Sequence, residues 1–490
     1  MDIRNLEMQN FRCYKNTGIK FGKEITIFIG RNGAGKSSVL SAVRKGLSFI
    51  FSDNKDEINP LKANINVTVS SIPILDTRYD ESEGGFNWPI SIKYEIDFNS
   101  QLVKWEFYKK SDPGGLHSTL YRYAKDLIIN KLITNPELWP VYAFFGDSYP
   151  HDDMKLGAKA SRIIKSDILP RDFAYYGWDA HQNCNVLWQE RFKYIDNFIF
   201  STESKVRSIE DNTLKLNKRI ESLSDPNEIN KLKAEIKEQE ASIKNYLEAT
   251  NNKVKVFEVE RNYIESKFVK FTEPLDEEYN FINQDFEVLS ISALNLIKSD
   301  ISIKFLLSDA RSIVSEMLPM GYKRLFNIVF DISYRSFILS EGIYEPKGVV
   351  MIDEIELHLH PSLQQEVLQR FRKTFPNIQF IVTTHSPLVI SNFKADENNK
   401  IVKLENDGNK YWNEEVANVY GIDYGTNLTE IMEVAPRSST IDKFINAYLF
   451  LIGKNKNTRA DEMLEKLKEY LGGEIPVKLQ EEISLKKSNL

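Results

Sequence analysis

A short glycine-rich loop carries the residues whose types and spacing point most directly to chemistry. It begins at Gly30, after an apolar run at residues 25–29 that we predict to be a strand, and a helix is predicted from Lys36 onward. Glycines let such a loop curl until its N–H groups face phosphate oxygens, and the helix adds the positive end of its dipole. Lys36 can then reach the β- and γ-phosphates of a nucleotide, and Ser37 can ligate Mg²⁺. The predicted phosphate-binding residues are Arg31, Asn32, Gly33, Ala34, Gly35, Lys36, Ser37 and Ser38.

Two further segments carry side chains suited to nucleotide hydrolysis, which needs a second Mg²⁺ ligand and a group that orients water. Asp353 and Glu354 follow an apolar strand predicted at residues 348–352. We expect Asp353 to hold Mg²⁺ through water and Glu354 to polarise the attacking water. His385 follows another predicted strand, at residues 378–382, so we expect it near the γ-phosphate. A plain glycine-rich turn and a pair of surface acids are the structural alternatives.

Three other patterns favour structure over chemistry. His358 and His360 could bind a metal, but no carboxylate or cysteine stands at a supporting spacing, so we interpret them as part of a turn. His385 and Ser386 lack the nucleophile-elbow context of a hydrolase. The aromatic residues at 173–180 could stack on bases, but few basic residues accompany them, and we expect them to pack in a core or an interface.

The overall composition is that of a large globular protein. Its 490 residues suggest two to four domains, and 42% hydrophobic residues suffice for a large core. The net charge of -6 gives no global positive field, so contact with DNA would need a local basic patch. Cys13 and Cys184 are far apart, which argues against a disulfide framework and a cysteine zinc site. Because no signal-like segment or long apolar run occurs, we expect a cytoplasmic protein with no membrane contact.

The rest of the chain alternates predicted strands and helices. Strands are predicted at residues 2–9, 65–69, 90–98, 102–108, 140–145 and 401–404. Helices are predicted at residues 120–133, 325–334, 362–375, 441–451, 458–470 and 476–483, and another, capped by Ser308 and Asp309, is predicted to run to residue 317. The strands that follow the phosphate loop predict an antiparallel lobe beside the nucleotide.

From about residue 201 the composition turns to Lys, Glu, Asn and Ser, and apolar residues fall into heptad spacing. The predicted seam consists of Val206, Ile209, Leu216, Ile220, Leu223, Ile229, Leu232, Ile236, Ile243 and Tyr246. A turn at residues 225–227 makes this a helical hairpin with arms of about 20 residues, roughly 30 Å each. Such arms are too short for a chromosome-maintenance protein. The mixed charges indicate a solvated face, with partner docking as the second interpretation.

The loop at residues 30–38, residues 318–324, the acid pair, residues 358–361 and His385 together resemble the ABC-type ATPase head of RecF, Rad50 and the overcoming-lysogenization-defect (OLD) proteins. The resemblance implies an α/β fold in which a mixed β-sheet core and an antiparallel β lobe carry an inserted helical hairpin and a helical C-terminal tail. It implies ATP and Mg²⁺ as ligands, with Glu354 and His385 as catalytic residues. His385 is then the switch histidine, and residues 358–361 are the D-loop.

Residues 318–324 resemble the signature motif of these heads, which completes the other subunit's nucleotide site in a head-to-head dimer. By this resemblance Pro319, Met320, Gly321 and Lys323 contact ATP bound to the partner. Pro319 stands where transporter-like motifs carry a serine, so the hydroxyl contact to the γ-phosphate is missing. Because proline is tolerated at the first position of a helix, we expect Pro319 to begin the helix and the N–H groups of Met320 and Gly321 to face the phosphate.

Among these heads, the chain is similar to the PtuA ATPase subunit of Septu-type and retron-associated anti-phage systems. The likeness rests on residues 318–324, the short hairpin and the helical tail after residues 424–427. It implies a nucleotide-dependent switch that regulates a separate HNH endonuclease, in a homodimer or a larger even-numbered homo-oligomer. A reverse transcriptase with its RNA–DNA retron element is a further implied partner, and DNA contact is compatible with this assembly.

A RecF-like DNA-repair ATPase that clamps DNA is the main alternative function, with a transporter ATPase and a non-enzymatic binding module behind it. A fused OLD-like nuclease is not expected, because the residues after Leu404 lack the Glu and Asp-x-Asp cluster that two-metal chemistry needs. We expect four parts: the first half of the head (1–170), a helical insertion (171–300), the second half of the head (301–410) and the tail (411–490).

Overall fold

The computed structural model describes residues 1–53, 59–112, 114–119, 121–146, 157–179, 185–275, 286–295, 301–408, 410–417, 419–435 and 437–488. The chain divides into two compact units, Met1–Tyr420 and Gly421–Leu490. The finer division of the first unit into three parts stays a prediction. Among the described residues, no helix combines the length and the apolar character needed to span a bilayer.

The strands are β1 (Asp2–Phe11), β2 (Tyr14–Lys20), β3 (Ile25–Ile29), β4 (Tyr79–Asp80), β5 (Gly85–Phe86), β6 (Ile90–Phe98), β7 (Gln101–Lys109), β8 (His117–Thr119), β9 (Val141–Phe145), β10 (Val288–Asn295), β11 (Ile301–Leu307), β12 (Ser312–Val314), β13 (Gly348–Ile352), β14 (Ile378–Thr383), β15 (Asn399–Asn406) and β16 (Tyr411–Val416). The helices are α1 (Lys36–Leu47), α2 (Tyr121–Ala124), α3 (Asn130–Thr134), α4 (Ala158–Ile163), α5 (Asn185–Glu221), α6 (Pro226–Thr272), α7 (Met320–Ser340), α8 (Pro361–Thr374), α9 (Pro387–Ser391), α10 (Tyr424–Thr426), α11 (Ser439–Gly453), α12 (Asn457–Tyr470) and α13 (Val477–Ser488).

The central sheet has the order β16-β15-β3-β14-β13-β9, and its strands are parallel except for β16. Every residue of β3, β13 and β14 is buried, which explains why their sequences are mostly apolar. Val382 pairs with Ile27 on one side and with Ile352 on the other. The carboxyl ends of the three strands therefore meet at one edge, where ligands bind in open parallel sheets.

A second, antiparallel sheet of order β2-β1-β6-β7-β8 forms the predicted lobe. Aromatic packing joins the lobe to α1 and the turn after it, since Phe49 stacks on Trp105 at 5.0 Å and the Tyr94 hydroxyl donates to the Ala42 carbonyl at 2.9 Å. The strand predicted at residues 65–69 is wrong. Ile65 and Val67 are buried and Asn66 and Thr68 are exposed, but the segment pairs with no described strand, so this alternation reflects packing alone.

The aromatic segment at residues 173–180 packs in the core, as expected, within the part that the structure describes; residue 180 lies outside it. Phe173, Tyr175 and Trp178 are buried. Tyr175 meets Phe51 edge-on at 5.1 Å, and Trp178 lies 5.3 Å from Tyr142 of β9. These rings therefore fill the space beside the edge strand of the central sheet.

The helical hairpin consists of α5 and α6, and its predicted arm length is wrong. The helices have 37 and 47 residues, against about 20 expected. Only the outer part of each helix follows the heptad pattern, because the inner parts pack within the head. There Arg191 and Glu260 form a fully buried ion pair at 2.6 Å, and Trp188 donates to Asp331 of α7 at 2.7 Å. The seam is confirmed, since all ten predicted positions are buried or half-buried.

The helix predicted to end at residue 317 is wrong. The segment instead continues the antiparallel sheet β10-β11-β12. The Asp309 carboxylate accepts from the Arg311 N–H at 2.9 Å, and Ala310 has a φ of 67°. Aspartate caps turns and helices by the same local hydrogen bond, so the cap signal was present but served a turn between two strands.

The second unit is a bundle of α11, α12 and α13, and the three predicted tail helices are confirmed. Its core consists of Ile445, Tyr448, Ala460, Leu467, Ile475 and Ile483. Arg437 forms ion pairs with Asp442 at 2.6 Å and Glu482 at 2.5 Å, which ties the first helix of the bundle to the last.

Candidate active site

The loop between β3 and α1 adopts a conformation that only glycine allows at two positions. Gly30 has a φ of 144°, and a Cβ there would lie 2.2 Å from the Leu404 carbonyl oxygen. Gly35 has a φ of 96°, and a Cβ there would lie 2.4 Å from the Tyr14 hydroxyl. The loop therefore lies in close contact with β15 on one side and with the β1–β2 hairpin on the other.

Helix α1 begins at Lys36 directly after this loop. The Gly35 carbonyl accepts from the N–H groups of Ser38 at 3.0 Å and Val39 at 3.1 Å. No described residue accepts a hydrogen bond from the N–H of Gly35 or Lys36. These donors, backed by the dipole of a twelve-residue helix, form the kind of site that binds phosphate.

The Lys36 ammonium is buried and bonds only uncharged groups among the described residues. It donates to the carbonyl oxygens of Gly30 at 2.9 Å and Arg31 at 3.2 Å. Burial lowers the pKa of Lys36, and the nearby carboxylates of Asp353, Glu354 and Glu356 oppose the shift. A buried cation without an ion pair is a site to which an anion fits.

The acid pair lies at the edge predicted for it, and Thr383 positions both residues. Asp353 is 4% exposed, and its N–H donates to the Phe145 carbonyl at 2.8 Å. The Thr383 hydroxyl donates to the Asp353 carboxylate and accepts from the Glu354 N–H at 2.8 Å. Glu354 has a φ of 48°, a conformation that costs a non-glycine residue on the order of 1 kcal/mol. The hydrogen bond from Thr383 therefore holds the Glu354 backbone in this unfavourable conformation.

His385 lies beside the same edge and is held by Glu356, a residue that the sequence did not single out. The His385 N–H donates to Glu356 Oε1 at 2.5 Å. The other carboxylate oxygen, Oε2, is buried and has no hydrogen-bond partner among the described residues. Burial and the Lys36 ammonium lower the pKa of His385, and Glu356 and Asp353 oppose them. The imidazole is therefore neutral at pH 7.

The segment that resembles a signature motif begins α7. Pro319 was expected to be the first helical residue, but it immediately precedes that residue, Met320, and its carbonyl accepts from the Lys323 N–H at 2.9 Å. Met320 is 44% exposed. Gly321 is buried, and a Cβ there would lie 2.5 Å from the carbonyl oxygen of His358. A small residue at position 321 is therefore required by packing within the same chain.

Arg324 joins this helix to the loop after the acid pair. The guanidinium is 3% exposed and donates to the carbonyl oxygens of Asp353 at 2.8 Å, Glu354 at 2.5 Å and Leu357 at 3.3 Å. The sequence shows an arginine on a helix but not which backbone it will contact. A movement of the start of α7 is thus linked to the backbone of the acid pair.

The metal interpretation of the two histidines receives no support from the described residues, which contain no group of three or more His, Cys, Asp or Glu able to hold an ion. His360 instead caps α8, since its ring nitrogen lies 2.7 Å from the Ser362 hydroxyl and accepts from the Ser362 N–H. The prediction of a structural turn is confirmed there.

Known proteins with similar sequences include ATPases of several kinds. The chain is 26% identical over 482 residues to the Retron Ec83 probable ATPase of Escherichia coli, covering 94% of this chain and 81% of that protein. It is 27% identical over 208 residues to the Septu protein PtuA of Bacillus mycoides, covering 40% and 28%. It is 33% identical over 113 residues to the DNA double-strand break repair Rad50 ATPase of Methanococcus maripaludis, covering 23% and 9%.

The pattern of the AAA ATPase domain matches residues 1–390, which include the glycine-rich loop, the acid pair and His385. The chain therefore belongs to the AAA ATPase domain family.

Proposed function

We propose that this ATPase is a Mg²⁺-dependent switch in an anti-phage defence complex, where its nucleotide state controls a separate HNH-type nuclease. The observation that carries the hydrolytic part is the meeting of Lys36, Asp353, Glu354 and His385 at one sheet edge, around N–H groups that no described residue satisfies. The similarity to a retron ATPase over 94% of the chain and to PtuA supports the defence setting.

Each residue at the edge has a separate role in this proposal. Lys36 and the loop N–H groups bind the β- and γ-phosphates, which supply the anion that the buried ammonium lacks. Ser37 and Asp353 would hold Mg²⁺, since hydroxyl and carboxylate oxygens suit this hard cation, and Mg²⁺ supplies neutralisation of the triphosphate charge. Glu354 accepts a proton from the attacking water, and the His385 side chain forms a hydrogen bond with the γ-phosphate.

Two heads act together in the proposed switch. Met317 is 78% exposed and Met320 is 44% exposed, so the start of α7 presents apolar side chains to solvent. A head-to-head dimer would place this end of α7 on the nucleotide of the partner, where the N–H groups of Met320 and Gly321 and the charge of Lys323 face the γ-phosphate. Arg324 then links closure of the dimer to the acid-pair backbone of the same chain.

Glu356 is expected to support turnover without contributing much to ATP affinity, because it holds the main chain of His385. Glu356→Ala removes the acceptor of the His385 N–H, and we expect kcat to fall about tenfold, as for the loss of one hydrogen bond to a charged group. Glu356→Gln keeps an acceptor oxygen and should retain more activity than Glu356→Ala. Steady-state ATPase rates, with ATP Kd measured separately, decide this; equal wild-type rates in both variants would remove Glu356 from the site.

The defence part of the proposal is tested by DNA cleavage. We expect the purified chain alone to leave DNA intact with Mg²⁺ or Mn²⁺, because its sequence after Leu404 contains no two-metal carboxylate cluster. Cleavage should appear when an HNH subunit encoded beside it is added, and should change with the Glu354→Gln variant. Cleavage by the isolated chain that is lost on mutating the tail carboxylates would favour an OLD-like nuclease.

A DNA-clamping repair ATPase is the second candidate, and the Rad50 match over 113 residues is what favours it. A repair ATPase of this kind should retain linear DNA in an ATP-dependent manner as the isolated chain, and an HNH subunit should have no effect on this retention. DNA retention measured on the Glu354→Gln variant, which should hold the ATP-bound dimer, separates the two functions in one experiment.

A further inference from the structure

The β1–β2 hairpin reaches the back of the glycine-rich loop through one buried hydroxyl. Tyr14 is the first residue of β2 and has no exposed surface. Its hydroxyl oxygen lies 3.3 Å from the Ala34 carbonyl oxygen and 3.2 Å from the Gly35 carbonyl oxygen, and the two carbonyls share its single donated proton. The hydroxyl also fills the space in which a side chain at position 35 would lie.

We propose that Tyr14 is a positioning residue for phosphate binding: its hydroxyl holds the Ala34 and Gly35 carbonyls on the hairpin side and so aims the N–H groups of Gly35 and Lys36 at the nucleotide. The proposal rests on the phosphate-binding role proposed above for this loop.

The geometry of the peptide bond carries the argument. In a trans peptide the C=O and the following N–H point in opposite directions within one plane. Fixing the Ala34 carbonyl therefore fixes the Gly35 N–H, and fixing the Gly35 carbonyl fixes the Lys36 N–H. No described residue is an acceptor for either of these two N–H groups. One hydroxyl thus orients two phosphate donors from behind, without touching the phosphate.

The Tyr14 hydroxyl can hold the loop carbonyls in place only if the β1–β2 hairpin is itself fixed relative to α1. Asp76 fixes it from both sides, because its carboxylate forms ion pairs with Arg12 of the hairpin turn at 2.8 Å and with Lys45 of α1 at 2.8 Å. The Asp76 carbonyl also accepts from the Arg12 N–H at 2.7 Å. Tyr411 packs edge-on against the Tyr14 ring at 5.8 Å, which limits its rotation.

The Tyr14 hydroxyl also keeps its proton over the working pH range. Burial raises the pKa of Tyr14 far above its usual value, with smaller contributions from Cys13 and Tyr411. Preorganised donors lower the cost of ordering the loop when phosphate binds, so their loss should weaken affinity and leave the chemical step unchanged.

Tyr14→Phe removes the hydroxyl and keeps the ring. We expect the Kd values of ATP and ADP to rise by the same factor, about 3- to 10-fold for one buried hydrogen bond, since both carry the phosphates that the loop binds. The kcat at saturating ATP should stay within about twofold, because the loop binds the ground state and the transition state alike. Amide exchange of the loop peptide in the nucleotide-free protein should become faster.

Tyr94→Phe is the matched control, since Tyr94 also donates a buried hydroxyl to an α1 carbonyl, that of Ala42, away from the loop. It should lose a similar amount of thermal stability and keep wild-type nucleotide affinity. The proposal is overturned if Tyr14→Phe binds ATP as the wild type does, or if both variants weaken binding equally. Lys36→Ala separates failure of the Tyr14 proposal from failure of the proposed nucleotide site. Normal ATP binding by Lys36→Ala would reject the nucleotide site itself.

Discussion

Lys36→Ala is expected to abolish ATP binding, whereas Glu354→Gln is expected to bind ATP normally and to stop hydrolysis. The ammonium of Lys36 would form charge-assisted hydrogen bonds with two phosphates, each worth about 1.5–3 kcal/mol, so its removal should lower affinity about 100-fold or more. Glu354→Gln keeps the size and polarity of the side chain but cannot accept a proton from water. General-base catalysis contributes about 10²- to 10⁴-fold, and kcat should fall by that factor.

Calorimetric ATP titration and steady-state hydrolysis, measured on the same preparations, separate binding from turnover. Glu341→Gln is the matched control for the second variant, because Glu341 has a φ of 54° like the 48° of Glu354 but lies at the end of α7. Its ion pair with Arg171 is exposed, so its loss should cost at most about 1 kcal/mol of stability. Unchanged turnover in Glu354→Gln would reject this residue as the base.

The sequence was sufficient to predict those site residues that lie in a loop directly after a strand. Buried parallel strands are nearly continuous apolar runs, so β3, β13 and β14 could be located, and each site residue comes shortly after one of them. The carboxyl ends of parallel strands share an edge, so Lys36, Asp353 and His385 could be expected together without knowledge of the strand order.

The positioning residues could not be predicted, because each acts on a segment far away in the chain. Tyr14 bonds the loop twenty residues on, Arg324 bonds carbonyls thirty residues on, and Glu356 accepts from the N–H of His385. Each of these three bonds involves a backbone atom of the other residue, and every residue possesses such atoms, so no residue type marks them. Glu356 had one available signal: it is a third acid, two residues after Glu354.

The remaining errors have the same origin in tertiary structure. The alternation at residues 65–69 and the cap at Ser308 and Asp309 are real local features. A segment with alternating apolar residues forms a strand only if an adjacent strand is free to pair with it. An aspartate cap begins a helix only if the next residues adopt the helical conformation. Likewise, the heptad pattern indicated only the part of α5 and α6 that packs as a two-helix seam.

The start of α7 is expected to act on the nucleotide of the partner subunit, and Met320→Asp should block hydrolysis while each monomer still binds ATP. An acid in the first turn favours the helix through its dipole, so the variant should fold. In a closed dimer its carboxylate would face the γ-phosphate, and we expect the rate to fall about tenfold or more from this like-charge contact. Gly321→Asp is a poorer test, because its Cβ would meet the His358 carbonyl at 2.5 Å within the same chain.

Mixing the Met320→Asp and Lys36→Ala proteins distinguishes action across the dimer from action within one chain. Each variant alone has two defective sites, but a mixed dimer combines the intact loop of one chain with the intact α7 start of the other. With random pairing at equal amounts, about half of the dimers carry one such site, so the mixture should regain about a quarter of the wild-type rate per chain. Ile343→Asp is the control, since Ile343 is also apolar and 80% exposed but lies after the other end of α7. If the mixture stays inactive, or if Met320→Asp alone hydrolyses ATP at the wild-type rate, α7 does not complete the partner's site, and the dimer, if one forms, is joined by another surface.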